Sequence, residues 1–503
     1  MAGHIYGAIN LGSSELGLKI YEISKKNGIT ELTHVRRRFA IGVETYSTGH
    51  ISYRSMTEIC ETLNDFTRIM QEFGVQSSDV YGTSGIREAE NMLVLLDQIR
   101  IQTGYSARIL SNSEARFLYY KALAMLEPRF PELMQDVSLA VDVGAGSMQL
   151  SYFNHGQLQV SENLLLGSSR IKELLQVMED EAYDYNELID EYIEKDIASF
   201  FKLYLEGVKI RHIVVVGGMI PDAYFYMKDQ KAEFDGLIKS KNLSKVNLLS
   251  KISGEKSKLV IPTILILRKI AIMANCNRFI LSPIELCDAM ATEFAEKKLH
   301  LSANHDFTLS IITTARQLAI KYRSDMEHIE TVEMLALQIF DRIKKLHGLG
   351  KRERLLLQLS VTLHSIGSFI SDIHSRDNSY HIIMSTELIG ISDRERRMIA
   401  NVVRYNEDRF PDYMALNEDI SKEQYITVVK LNAILKTANV LDKSNRHKIR
   451  EVGVSLAGDV LTITAETMAD ITLEKGLFHD KAGAFEEIFG IRPKLVQKKT
   501  GRY

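Results

Sequence analysis

Two stretches of this chain end an apolar run on glycine and small residues, and both could hold an anion. In AVDVGAGSMQL (140–150) the run stops at Gly144, Ala145, Gly146 and Ser147; in AINLGSSELGL (8–18) it stops at Gly12, Ser13 and Ser14. Where no Cβ stands in the way and glycine can take positive φ, backbone N–H groups come close to phosphate oxygens. A third stretch, IVVVGGM (213–219), ends on Gly217 and Gly218 in the same manner. Asp142 is a single acid inside an apolar strand, placed to reach the space beyond the strand end; Asn10 stands at the matching point of the first stretch. A plainer use of Asp142 is to cap its loop by accepting nearby N–H groups, and paired glycines also serve ordinary tight turns. The chain contains neither GxxxxGKS/T nor GxGxxG, so neither a P-loop nor a dinucleotide fold is supported.

The elements that must carry these loops repeat. The two stretches match residue type by residue type at an offset of 132 positions, and both continue as strand, Asn/Gly turn and returning strand, with turns at Asn27-Gly28 and at Asn154 to Gly156. Two domains on one plan are expected. Between the copies, Ile59, Leu63, Phe66, Met70 and Phe73 fall at helical spacing and the run ends at Gly74. Each half therefore reads as a sheet flanked by helices, with the glycine loops at strand ends facing a cleft between halves.

The remaining composition narrows the classes. The 503 residues can form two to four domains, and Lys+Arg 62 against Asp+Glu 65 gives a formal charge of -3, so a polyanion must be met by a local basic patch. Cys60, Cys276 and Cys287 are scattered without CxxC spacing, which fits a reducing cytoplasm and no thiolate zinc site. LVIPTILIL (259–267) is too short to span a bilayer and is followed by Arg268 and Lys269, so it is expected to be a buried helix. No signal peptide precedes the first strand, and a cytoplasmic protein without membrane or specific nucleic-acid partners is expected.

The segments INLGSSELGLKI, IGVETYSTGHIS, GTSGIREAEN, LSNSEARFLYY, VDVGAGSMQLSYF and VVVGGM occur in one order, followed by LLLQLSVTLHSIG, IANVVRYNEDRFP and LKTANVLDKSNRHKIREVGV. In this set the chain resembles the exopolyphosphatase and guanosine pentaphosphate phosphohydrolase (Ppx/GppA) family of the actin/Hsp70/sugar-kinase superfamily, over nearly its whole length. The resemblance implies an α/β fold of duplicated actin-like (ribonuclease H-like) domains, 1–131 and 132–301, with an interdomain cleft. An all-α HD-like domain, 302–448, and a small α+β C-terminal domain, 449–503, would follow. It implies hydrolysis of the terminal phosphoanhydride of inorganic polyphosphate or guanosine pentaphosphate with magnesium, and a homodimer. Glu114 would orient the attacking water and Arg87 would grip the phosphate chain, while Asp142 would hold the metal, with Asn10 and Gln149 assisting through water. These roles are chemically consistent, since phosphoryl transfer needs a placed water and cationic neutralisation of the equatorial oxygens. On residue type alone, Glu114 and Arg116 would read as helix-surface charges.

The chain also departs from the family pattern. Asn10 stands for Asp in the first loop; in the second, Ala145, Met148 and Gln149 stand for Gly, Thr and Glu. Magnesium prefers anionic oxygen, so affinity for free metal is expected to fall. SPIELCDA (282–289) carries Pro283 and Cys287 where the family has Asp and Arg. In the helical region His328 and His364 are present, but Ser365 and Asn439 replace the two aspartates of a metal-binding HD site, so a structural or substrate-binding domain is expected. His374 and His381 read as solvated or core-satisfied positions, not as ligands; the cluster Arg394, Arg396, Arg397 and Arg404 could track a polyanion, but a solvated helix face explains it as well or better. The leading expectation is a phosphoanhydride hydrolase. The alternative is a polyphosphate- or nucleotide-binding regulator with weakened turnover; a sugar-kinase-like phosphotransferase of the same superfamily finds no specifying motif.

Overall fold

In the computed structural model the described residues are all except 1–2, 40, 180, 217–235, 237–253, 302–304, 450 and 500–503. Alternating and continuous apolar runs build a first sheet from β1 (His4–Leu11), β2 (Glu15–Ser24), β3 (Gly28–Arg38), β4 (Ser77–Gly82) and β5 (Arg108–Ile109), in the order β3-β2-β1-β4-β5. The second sheet takes β6 (Ser138–Val143), β7 (Met148–Asn154), β8 (Gln157–Leu164), β9 (His212–Val216) and β10 (Phe279–Leu281), ordered β8-β7-β6-β9-β10. In each, three strands form an antiparallel meander and the fourth and fifth run parallel to the first. The duplicated actin-like plan is thus written in the connectivity as well as in the residues. The turn of the second meander has φ of +49° at His155 and +75° at Gly156, the left-handed pair that a twisted two-residue hairpin needs.

One face of each sheet packs on helices of its own half. Leu139, Val141, Val143, Met148 and Leu150 share a core with Ile264 to Leu267 of the helix Gly254–Ala274. Four consecutive residues there are fully buried, as expected for the apolar run 259–267 and for a helix enclosed on all sides. Among the described residues no helix is long and apolar enough to cross a membrane.

The other faces tie the halves together. The helix Asn112–Leu126, which follows β5, projects Arg116 to Asp142 of the second sheet, and its Tyr120 ring meets Phe153 edge-on at 5.3 Å. The helix Leu286–Leu299, which follows β10, returns to the first sheet, where Asp288 accepts from Lys19 at 3.1 Å and from the Tyr21 hydroxyl at 2.7 Å. Of the three arginines on β3, Arg36 pairs with Glu285 and Arg37 with Asp65, so the run divides between two sides as strand alternation requires.

The chain divides into two units, Met1–Phe307 and Thr308–Tyr503. Most of the second is helical, including Met326–Arg342, Lys351–Leu363, Ser375–Ser385, Asp393–Arg404 and Lys422–Asn439. Capping boxes at Ser392 with Glu395 and Ser421 with Gln424 start two of these helices. The tail forms β11 (Glu451–Ala457), β12 (Val460–Glu466) and β13 (Arg492–Lys498), with the helix Thr472–Phe489 joining the parallel pair β12 and β13.

Candidate active site

The two small-residue loops are closed by the same bond. Gly12 N–H donates to Glu15 O at 3.0 Å, and Gly144 N–H donates to Ser147 O at 2.9 Å. They face one another across a cavity of about 110 Å³ whose lining includes Asn10, Gly12, Ser13, Ser14, Arg87, Asp142, Gly144, Ala145 and Ser147, together with Arg116. The repeated loops, Arg87 and Asp142 are therefore assembled in one place. Gly217 and Gly218 lie outside the described residues.

Asp142 ends β6 with 6% of its surface exposed, and Arg116, 8% exposed, forms its ion pair. A buried carboxylate left alone would cost several kcal/mol, which the guanidinium offsets. The surface-charge reading of Arg116 is thereby corrected: Ala115, Leu118, Ala122 and Leu123 are buried on the same helix, and Arg116 goes inward with them. Arg87 is fixed by donating to Leu110 O at 2.6 Å and Asn112 Oδ1 at 2.7 Å.

Three expected site residues stand elsewhere. Glu114 lies at the third position of its helix, where one carboxylate oxygen accepts from Ser111 N–H at 3.0 Å in a capping box and the other pairs with Arg108 at 2.9 Å. It is not part of the cavity lining. Gln149 pairs with Asp142 across the β6–β7 ladder, on the same face of the sheet, but it is fully buried, donates to Ser161 Oγ at 2.5 Å and is not part of the cavity lining. Gly146 is absent from the lining because it lies under Tyr46: a Cβ there would sit 2.2 Å from the Tyr46 hydroxyl oxygen. Only glycine allows that approach.

Tyr46 belongs to a closure that residue types alone did not disclose. Its hydroxyl meets Ser13 and Ser84, each at 3.2 Å. Arg170 stacks on its ring at 4.7 Å, donates to Gly146 O at 2.7 Å and pairs with Glu88. The first half supplies Ser13, Tyr46, Ser84 and Glu88, the second supplies Gly146 and Arg170, and together they latch the halves beside the cavity. Burial raises the Tyr46 phenol above its usual range.

The donor set does not suit a divalent metal held by the protein alone. Asp142 is engaged by Arg116, Glu15 in the lining lies 4.0 Å from Arg36, the Gln149 amide donates to Ser161, and Asn10 offers a neutral Oδ1 that has no partner among the described residues. No group of three His, Cys, Asp or Glu side chains that could hold a metal occurs among the described residues.

In the second unit the histidines do converge. His328 Nε2 lies 3.2 Å from His364 Nε2 and 3.1 Å from Asn439 Oδ1. Asp442, unnoticed in the sequence, accepts from His328 Nδ1 at 2.8 Å and from His447 at 3.0 Å. Burial, reinforced by His328, pushes the His364 imidazole down to about 4. Burial opposes the Asp442 carboxylate, yet its bonds with His328 hold it below the usual range. His374 and His381 are exposed, while Arg396 and Arg404 pair with Asp393 and Asp377.

Comparison with known proteins gives the family. The model of the Ppx/GppA phosphatase family matches residues 19–286, and that of Ppx/GppA phosphatase, domain III, matches 312–481. Exopolyphosphatase 1 of Mycobacterium tuberculosis is 23% identical over 165 residues, 33% of this chain and 47% of that protein, so the match spans about half the length of that relative. The guanosine-5'-triphosphate,3'-diphosphate pyrophosphatase of Photobacterium profundum is 21% identical over 415 residues, 80% of each chain. The crystal structure of the Aquifex aeolicus Ppx/GppA family member is 19% identical with a TM-score of 0.46, covering 59% of this chain and 99% of that one. With a family model matched across more than half of its length, the chain belongs to the Ppx/GppA phosphatase family.

Proposed function

We propose that the chain removes terminal phosphate from a phosphoanhydride chain, either inorganic polyphosphate or guanosine pentaphosphate. The observation that carries this reading is the pair of guanidinium groups, Arg87 and Arg116, lining one cavity with both small-residue loops. The names of relatives, an exopolyphosphatase and a guanosine-5'-triphosphate,3'-diphosphate pyrophosphatase, support this substrate class. Arg87, held from behind by Leu110 O and Asn112, presents its remaining N–H groups to a phosphate. Arg116 neutralises charge on the equatorial oxygens, and the loops bring backbone close to them. Asp142 and Glu15 are the carboxylates lining the cavity, and in our reading Asp142, at the end of the second sheet's loop, accepts the hydrogen bond that orients the attacking water. Glu114, occupied by Ser111 and Arg108, remains a helix cap. Because the donor set does not suit a protein-held magnesium, no step is routed through one.

Phosphate release from polyphosphate and from guanosine pentaphosphate, with and without added magnesium, tests the proposal. Arg87→Ala and Asp142→Asn are expected to abolish release, and Glu114→Gln to retain most of it. Loss in Glu114→Gln with retention in Asp142→Asn would restore the role that the family resemblance gives Glu114. Absence of release by the unmodified protein refutes the hydrolase reading. A second reading, polyphosphate binding without turnover, is favoured by the Asp142–Arg116 pair and by the amides at 10 and 149; retained binding without release selects it.

A further inference from the structure

The second unit contains a cavity of about 540 Å³, within the common range for small-molecule sites, which is roughly 300–1,000 Å³. Its floor is polar and buried: His364 is 6% exposed, Asn406 4% and Asn439 6%. Its edge is apolar and exposed, with Phe369 at 54% and Ile373 at 83%. Tyr322 meets the Phe369 ring edge-on at 5.7 Å on the same wall.

Three side chains lining this cavity carry buried polar atoms without a partner among the described residues: Ser324 Oγ, Ser365 Oγ and Asn406 Oδ1. Such atoms are uncommon in folded proteins, and each is costly unless something meets it. Here they converge on one space. His364 Nδ1 donates to Val361 O at 2.7 Å, and its Nε2, like Asn439 Oδ1, already meets His328 Nε2. The floor therefore offers the Ser324 and Ser365 hydroxyls as donors beside the Asn406 amide oxygen as an acceptor, a set that matches the edge of a heterocyclic base. Two aromatic rings stand where such a base would stack. The lining also contains the cations Arg323, Arg376 and Lys443 beside the acids Asp325, Asp372 and Glu407; Arg376 lies 2.9 Å from Asp408 and Lys443 pairs with Glu407. A lone divalent cation would use neither the aromatic wall nor the hydroxyls, and among the described residues these acids form no metal-holding group with the histidines.

We infer that this cavity binds a nucleoside phosphate, its base on the floor against Tyr322 and Phe369 and its phosphate toward Arg323 and Arg376. The inference stands apart from the reaction proposed for the cleft. The full chain is titrated with fluorescent N-methylanthraniloyl GDP and ADP, the two arms reporting which base is preferred. Saturable binding by at least one is expected. Phe369→Ala, at an exposed position, weakens it about tenfold through lost stacking, and Asn406→Leu weakens it further. Arg87→Ala in the cleft leaves the affinity unchanged, and inorganic tripolyphosphate does not displace the probe. Absence of binding by both probes, affinity indifferent to Phe369→Ala, or loss in Arg87→Ala with displacement by tripolyphosphate overturns the assignment; the last result places the nucleotide in the cleft. Phosphate release from polyphosphate, assayed separately on Phe369→Ala, reports on the cleft alone, so the two proposals fail independently.

Discussion

Arg116→Met removes the cation from a pair whose side chains are only 10% and 8% exposed. Methionine keeps an unbranched stem in the same packing, so the main change is an unpaired carboxylate on Asp142. An exposed ion pair would contribute about 0–1 kcal/mol. Breaking a buried pair by removing one partner costs about 3–5 kcal/mol, because the charge left behind remains desolvated. The burial at both ends places Arg116→Met in the second range. Asp142→Asn strands the guanidinium instead and should also destabilise. The double variant Arg116→Met/Asp142→Asn should cost less than the sum of the singles, by about 0.5–3 kcal/mol as expected for residues in contact. The chain has no tryptophan, so urea unfolding is best followed by far-ultraviolet circular dichroism. A loss below about 0.5 kcal/mol in Arg116→Met, or strict additivity in the cycle, would refute the buried pair and with it the placement of Arg116 in the cleft.

Gly146→Ala should destabilise by about 1–3 kcal/mol through overpacking, because the new Cβ falls 2.2 Å from the Tyr46 oxygen and 2.8 Å from Cζ; adding Tyr46→Ala should relieve part of the loss, and additive melting shifts would count against the contact. Arg170→Ala removes the bonds to Gly146 and Glu88 and the stacking on Tyr46, so limited proteolysis should cut unit 1 faster with little loss of secondary structure; an unchanged digestion rate would dismiss the latch. His364 remains neutral in the fold down to about pH 4 but titrates near 6.5 when unfolded. Its contribution is therefore complete above 6.5 and declines as pH falls toward 4, by up to about 3 kcal/mol. His364→Gln should flatten that part of the stability profile, with His328, Glu407 and Lys443 common to both proteins, and equal slopes would contradict the burial.

The duplication, both small-residue loops, the buried helix over 259–267 and the family were legible in the linear chain. Each rests on short-range signals: strand runs that end on small residues, turns with Asn and Gly, apolar stretches of helical length. Arg87 and Asp142 were found because they sit inside such motifs. What packing decides was not legible. Glu114 and Arg116 are two residues apart on one helix, yet Glu114 turns back to cap its own first turn and Arg116 crosses to the other half's strand. The i, i+4 pairing of Arg116 with Tyr120, both buried, was the available clue, and it becomes readable only once a second sheet is known to lie against that face. Gln149 is opposite Asp142 in the ladder, but the direction of its amide depends on Ser161, a hairpin away. Sequence sets which residues can form strands, loops and helices because those preferences are local. The partner of a buried charge, the face that closes a cleft and the side chains that gather around a cavity are set by contacts between segments distant in the chain, and these exist only in the folded molecule.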